Sequence, residues 1–112
     1  MSENLLFLVQ GSALAPYTVE FIKEGARLQA RCTCAAGELG QACKHRLSII
    51  DGDVDNIVSE NVAQVALVPQ WLKGSRLEES LMALKRAEDL AAVAKREINK
   101  AKHGLARAMN EG

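Results

Sequence analysis

Three cysteines and one of the two histidines in this chain of 112 residues stand close together, as Cys32-Thr-Cys34, eight intervening residues, then Cys43-Lys-His45. Two close pairs separated by a short loop suit a tetrahedral ion, because each pair supplies two ligands and the loop lets the pairs face one another. Three thiolates and an imidazole are soft to borderline donors, which favour zinc over magnesium or calcium. Four protein ligands leave no position open for water, so such a site is structural and not catalytic. The spacing fits no common ferredoxin pattern, and C-x-C is not the C-x-x-C of a redox pair. Zinc against three thiolates leaves about one negative charge, which Arg31, Lys44 and Arg46 are expected to offset. The bland alternative is three small buried hydrophobes and a surface histidine.

The elements around these residues must bring the two pairs together. Leu5 to Val9 form an apolar run punctuated by Gly11-Ser12 and Pro16, which predicts a fully buried first strand. Tyr17, Val19 and Phe21 alternate with polar residues, Lys23-Glu24-Gly25 supplies a turn, and Leu28, Ala30 and Cys32 alternate in turn, predicting a hairpin that ends at the first cysteine. Strand geometry points residues 32 and 34 to opposite faces, so the chain must turn at Thr33 for both sulfurs to reach one ion. Residues 35 to 42 read as a loop in which Gly37 and Gly40 permit positive φ. Lys44 to Ile50 is a short helix ended by Asp51-Gly52-Asp53.

Downstream, Asp53 or Asp55 can cap a second helix bearing Ile57, Val58, Val62, Val65 and Ala66, which Pro69 stops or kinks. Ser75 and Glu78 form a capping-box pattern that opens a long helix over residues 75 to 109. The fold class is α+β: a small N-terminal β-meander with a zinc knuckle and short helix, then a long C-terminal α-helix in a helical hairpin or coiled-coil-like packing. Residues 1–54 form the zinc-binding module and residues 55–112 the helical extension.

Composition bounds the function. Hydrophobic residues at 48% and charged residues at 25% are ordinary globular values, so the chain folds. A formal net charge of zero argues against a general basic nucleic-acid coat and leaves only local patches. The N-terminus lacks the positive region of a signal peptide, and no apolar run reaches the roughly 20 residues of a membrane span, so a cytoplasmic protein is expected. Three cysteines within twelve positions of a reduced protein point to metal and not to disulfides. No catalytic residues are expected, since one histidine is taken by zinc, His103 reads as a surface residue, and no nucleophile stands beside a base.

Tyr17-Thr-Val19, Phe21, Cys32-Thr-Cys34 and Cys43-Lys-His45, followed by Leu47, Ile49 and Ile50, together resemble a SWIM zinc finger over residues 17–50, about a third of the chain. The resemblance implies a hairpin before the ligands and a helix after them. SWIM fingers accompany helicase-type ATPases, Mutator-like transposases, plant transcription regulators and recombination cofactors, where they are taken to bind DNA or protein. No such domain accompanies the finger in these residues, so the partner must be read from the chain itself.

Two partner classes stand. A protein-binding adaptor presents a zinc-fixed platform and an apolar helix stripe. A DNA- or RNA-binding finger instead uses Arg27, Arg31, Lys44 and Arg46, with Lys95, Arg96, Lys100, Lys102 and Arg107 on the long helix, for phosphate contacts. Against nucleic acid stands the lack of aromatic residues interleaved with the basic ones. The long helix repeats every seven residues at Leu77, Leu84, Ala91, Ile98 and Leu105, with alanines three positions after four of them. A helix over residues 55 to 68 spans about 21 Å against roughly 50 Å for the long one, leaving its distal half without an internal partner. A homodimer through this helix is expected, antiparallel, with Glu78, Glu79, Glu88 and Asp89 beside Lys95, Arg96, Lys100 and Lys102.

Overall fold

The computed structural model describes residues 2–112. The chain divides into two compact units, one reaching to Glu78 and the other Glu79–Gly112. The architecture is α+β: a three-stranded antiparallel sheet, short helices and one long C-terminal helix.

In the first unit β1 (Ser2–Val9), β2 (Tyr17–Glu24) and β3 (Arg27–Cys32) form a meander in the order β1-β2-β3. The register sets Phe7 opposite Val19 and Val19 opposite Cys32, and likewise Leu5, Phe21 and Ala30 in the neighbouring row. Side chains across a row share a face, so Cys32 is delivered to the face whose Phe7, Val19 and Phe21 are wholly buried. The Phe7 and Phe21 rings meet edge to face at 6.2 Å, an arrangement favoured by their quadrupoles. The hairpin turn falls at Gly25-Ala26, one residue beyond the stretch expected from the sequence.

The expectation of a fully buried β1 is corrected. Leu6 and Leu8 are 48% and 41% exposed on the opposite face, because the sheet packs on one side only and alternation decides which residues of an apolar run go in. The expected helix from residue 55 is also corrected. Ile57 bridges to Val9, Gln10 donates to Asn56 O at 2.8 Å and Val58 to Leu8 O at 2.8 Å, and the Asn61 amide donates to Leu6 O at 2.7 Å. These residues cover the edge of β1, whose unpaired backbone groups need partners more than β-branched Ile57 and Val58 favour a helix.

Helix begins only at the 3-10 turn Val62–Leu67 and continues after it, past two short helices earlier in the chain, α1 (Ala35–Glu38) and α2 (Lys44–Ile50), as α3 (Val68–Leu72). Pro69 sits in the first turn of α3, where its missing N–H costs nothing, so it opens a helix instead of stopping one. Val65, Val68 and Trp71 join Ile49 and Ile50 in the core.

α4 (Arg76–Glu111) starts as the capping pattern predicts. Ser75 Oγ accepts from Glu78 N at 3.1 Å and donates to Leu72 O at 2.6 Å, so this buried hydroxyl is satisfied both ways. The Glu78 carboxylate reaches back to Gly74 N at 3.1 Å, one residue earlier than a standard capping box. The helix passes through Gly104 without interruption. Among the described residues no helix is long and apolar enough to cross a membrane.

Candidate metal centre

Cys32 closes β3, and Thr33 leaves the strand while holding its place against β2: Thr33 N donates to Thr18 O at 3.1 Å and Thr18 N to Thr33 Oγ1 at 3.0 Å. That reciprocal pair fixes the turn that brings Cys34 onto the side of Cys32. Cys34 then caps α1, its Sγ accepting from Gly37 N at 3.3 Å. The stretch read as a loop therefore contains one helical turn. Gly37 serves by its lack of a side chain and not by positive φ: a Cβ there would lie 2.4 Å from Cys32 O. Cys43 caps α2 in the same way, its Sγ accepting from Arg46 N at 3.5 Å. Both sulfurs thus occupy helix starts, where free N–H groups favour a thiolate.

The ligand atoms of Cys32, Cys34, Cys43 and His45 all lie within 4.8 Å of one another, with the three cysteines buried. His45 presents Nδ1 to Cys32 Sγ at 3.8 Å, and its ring rests 4.8 Å from that of Tyr17. A tetrahedral zinc with the usual bond lengths has donor separations of about 3.6 to 3.8 Å, so these donors already enclose a site of ionic size. The four residues can hold a metal ion, and their chemistry is compatible with zinc.

Electrostatics separates the thiols. Burial pushes Cys32 up to about 12, against a hydrogen bond from the Cys34 backbone and helped by the thiols of Cys34 and Cys43. Burial also pushes Cys43 upward, but the hydrogen bonds from the Arg46 backbone and guanidinium outweigh it and hold this thiol below its ordinary value. Burial, then the charge of Lys44, lowers His45, which favours the neutral imidazole a metal needs. Cys43 accordingly ionises more readily than Cys32, which gives up its proton only to a competing cation.

Arg46, expected to offset the thiolates or to contact a partner, also has a bracing part that the sequence reading did not give it. Besides its backbone bond, its Nε donates to Cys43 Sγ at 3.2 Å, Nη1 donates to Ala30 O at 3.0 Å, and Nη2 donates to Gln41 O. One guanidinium therefore ties β3, the loop before α2 and a ligand sulfur together. Its spacing of three from Cys43 at a helix start was the available signal.

The other basic candidates are scattered. Arg31 stands opposite Glu20 and Arg27 opposite Glu24, on the sheet face away from Cys32, so Arg31 is not placed to offset the thiolates. Lys44 is exposed at the start of α2, and His103 is exposed on α4. Compared with family models, with curated proteins and with solved structures, the chain has no match in any of the three.

Proposed function

We propose that the chain is a SWIM-type zinc finger that works as a protein-binding adaptor. The zinc reading is supported by the convergence of four soft donors on one closed site, which builds a platform and leaves no coordination position for a reaction. The choice of a protein partner is carried by one observation, the fate of Arg46. Its guanidinium is bonded to Cys43 Sγ, Ala30 O and Gln41 O, and a group so engaged is withdrawn from phosphate. With Arg27 and Arg31 on the other face of the sheet, Lys44 alone of the four basic candidates is left free of a structural task beside the centre. What the finger offers instead is apolar. Leu28, Ala30, Leu47, Ile50 and Leu77 line a groove of about 290 Å³ next to Cys43, suited to an aliphatic or aromatic side chain of another protein.

The test is a salt titration of zinc-loaded protein against mixed-sequence DNA and RNA, beside capture of partners from the extract of its host. The reading expects weak nucleic-acid binding, and a captured protein that is lost with Cys34→Ser and with Leu47→Glu in the groove. Tight binding to either nucleic acid, falling steeply with salt as phosphate contacts require, would replace the adaptor with a nucleic-acid-binding finger.

A further inference from the structure

α4 has 36 residues, and none of them is buried. Leu84, Ile98 and Leu105 are 43%, 55% and 58% exposed, although helices in folded proteins draw most of their stability from packing an apolar stripe. The stripe repeats every seven residues, which keeps it facing a second helix in a left-handed supercoil. One position of the repeat carries Leu84, Ala91, Ile98 and Leu105, and the position four residues before each carries Ser80, Ala87, Ala94 and Ala101.

We propose that two copies of the chain pair through α4 in antiparallel orientation, in the register that places Leu84 against the partner's Ala101. Antiparallel seams set one of these positions against the other. Ala87 then meets the partner's Ile98, Ser80 the partner's Leu105, and Ala91 the partner's Ala94 at the centre. Each layer outside the centre opposes a large side chain to a small one, and the alanines at the centre let the two backbones come closest there. Parallel pairing sets like positions together, with Leu84 on Leu84 followed by three layers of alanine on alanine and then Ile98 on Ile98, crowded in some layers and hollow in others.

Charge selects the same register. Glu88 lies beside the partner's Lys95, and the twofold axis makes the pair twice. Within its own helix Lys95 has Ala91, Ala92, Ile98 and Asn99 at the neighbouring turns, so no acid of its own helix stands there to meet it. Sliding by one repeat in one direction brings Glu88 against the partner's Glu88, and in the other brings Lys95 against the partner's Lys95, although Glu88 then meets the partner's Lys102. The first of these registers is thus penalised by charge as well as the proposed one favoured.

This inference rests on α4 and stands apart from the zinc centre. The full zinc-loaded chain sediments at twice its 12.1 kDa mass at micromolar concentration. Glu88→Lys and Lys95→Glu each raise the dissociation constant by roughly tenfold or more, and the double variant E88K/K95E returns to within about threefold of the parent chain. Zinc content measured in every variant separates lost pairing from lost folding. A monomer at these concentrations overturns the proposal, as does a dimer that ignores both single reversals or is not restored by the double.

Discussion

The Nε of Arg46 lies 3.2 Å from the Sγ of Cys43, a charge-assisted hydrogen bond between a side chain expected to offset the thiolates or to face a partner and one of the four donors of the candidate centre. The same guanidinium reaches Ala30 O at 3.0 Å. Loss of this group should therefore act on the metal first. Arg46→Ala is expected to weaken zinc binding by about 10- to 100-fold, the usual effect of removing a group that supports a ligand. Lysine lacks the planar fork and cannot make these bonds together, so Arg46→Lys should recover little. Competition against a chelator of known affinity reads both variants, and an Arg46→Ala chain that keeps full affinity would show the bond to be idle.

The pH dependence follows from the same contact. Arg46 holds Cys43 below its ordinary value after opposing the effect of burial. For an acid with a depressed value the stabilisation is complete above the unfolded value of 9.0 and is lost as pH falls through the folded one. Protons compete with the metal for every thiolate, so zinc should leave on acidification, and the midpoint of its release should lie at higher pH in Arg46→Ala than in the parent chain. A colorimetric zinc indicator followed down a pH series measures the two midpoints. Coincident midpoints would contradict this account of Cys43.

Gly37 and Gly40 provide a paired test of the loop between the ligands. A Cβ at Gly37 would come within 2.4 Å of Cys32 O and 3.0 Å of Cys32 Cβ, whereas one at Gly40 meets nothing within 4 Å. Gly37→Ala is expected to cost roughly 1 to 3 kcal/mol, as overpacking does, and to lower zinc affinity because the displaced group is a ligand's own backbone. Gly40 has φ +76°, so Gly40→Ala should cost roughly 1 to 2 kcal/mol through the backbone alone. Denaturant unfolding of the loaded proteins together with chelator competition distinguishes the two, and equal zinc affinities would remove the role given to Gly37.

The cluster of four soft donors and the helices α2 and α4 were legible because their signals are local. The two Cys/His pairs stand within a few positions of each other, α2 runs over the residues that its pattern predicts, and Ser75 and Glu78 announce α4 in four residues. What escaped was long-range. Ile57 and Val58 bear the same apolar residues whether they form a helix or cover a strand edge, and only the exposed edge of β1 decides between them. Leu6 and Leu8 read as core because an unbroken apolar run does not say how many faces of the sheet are covered. The bracing part of Arg46 escaped because the carbonyl of Ala30 that holds it lies sixteen positions away.

The central claim is that Cys32, Cys34, Cys43 and His45 hold one zinc ion on which the fold of the first unit depends. Structural zinc in small fingers contributes on the order of 10 kcal/mol, comparable with the whole net stability of a domain. The most direct measurement is metal content per chain, taken on protein prepared in reducing, zinc-replete buffer, with circular dichroism before and after chelation. The account predicts one zinc per chain, loss of most of the first unit's structure on chelation, and a Cys34→Ser variant that behaves like the chelated protein. Less than half an equivalent of zinc, or a chelated chain that keeps its structure, would contradict it.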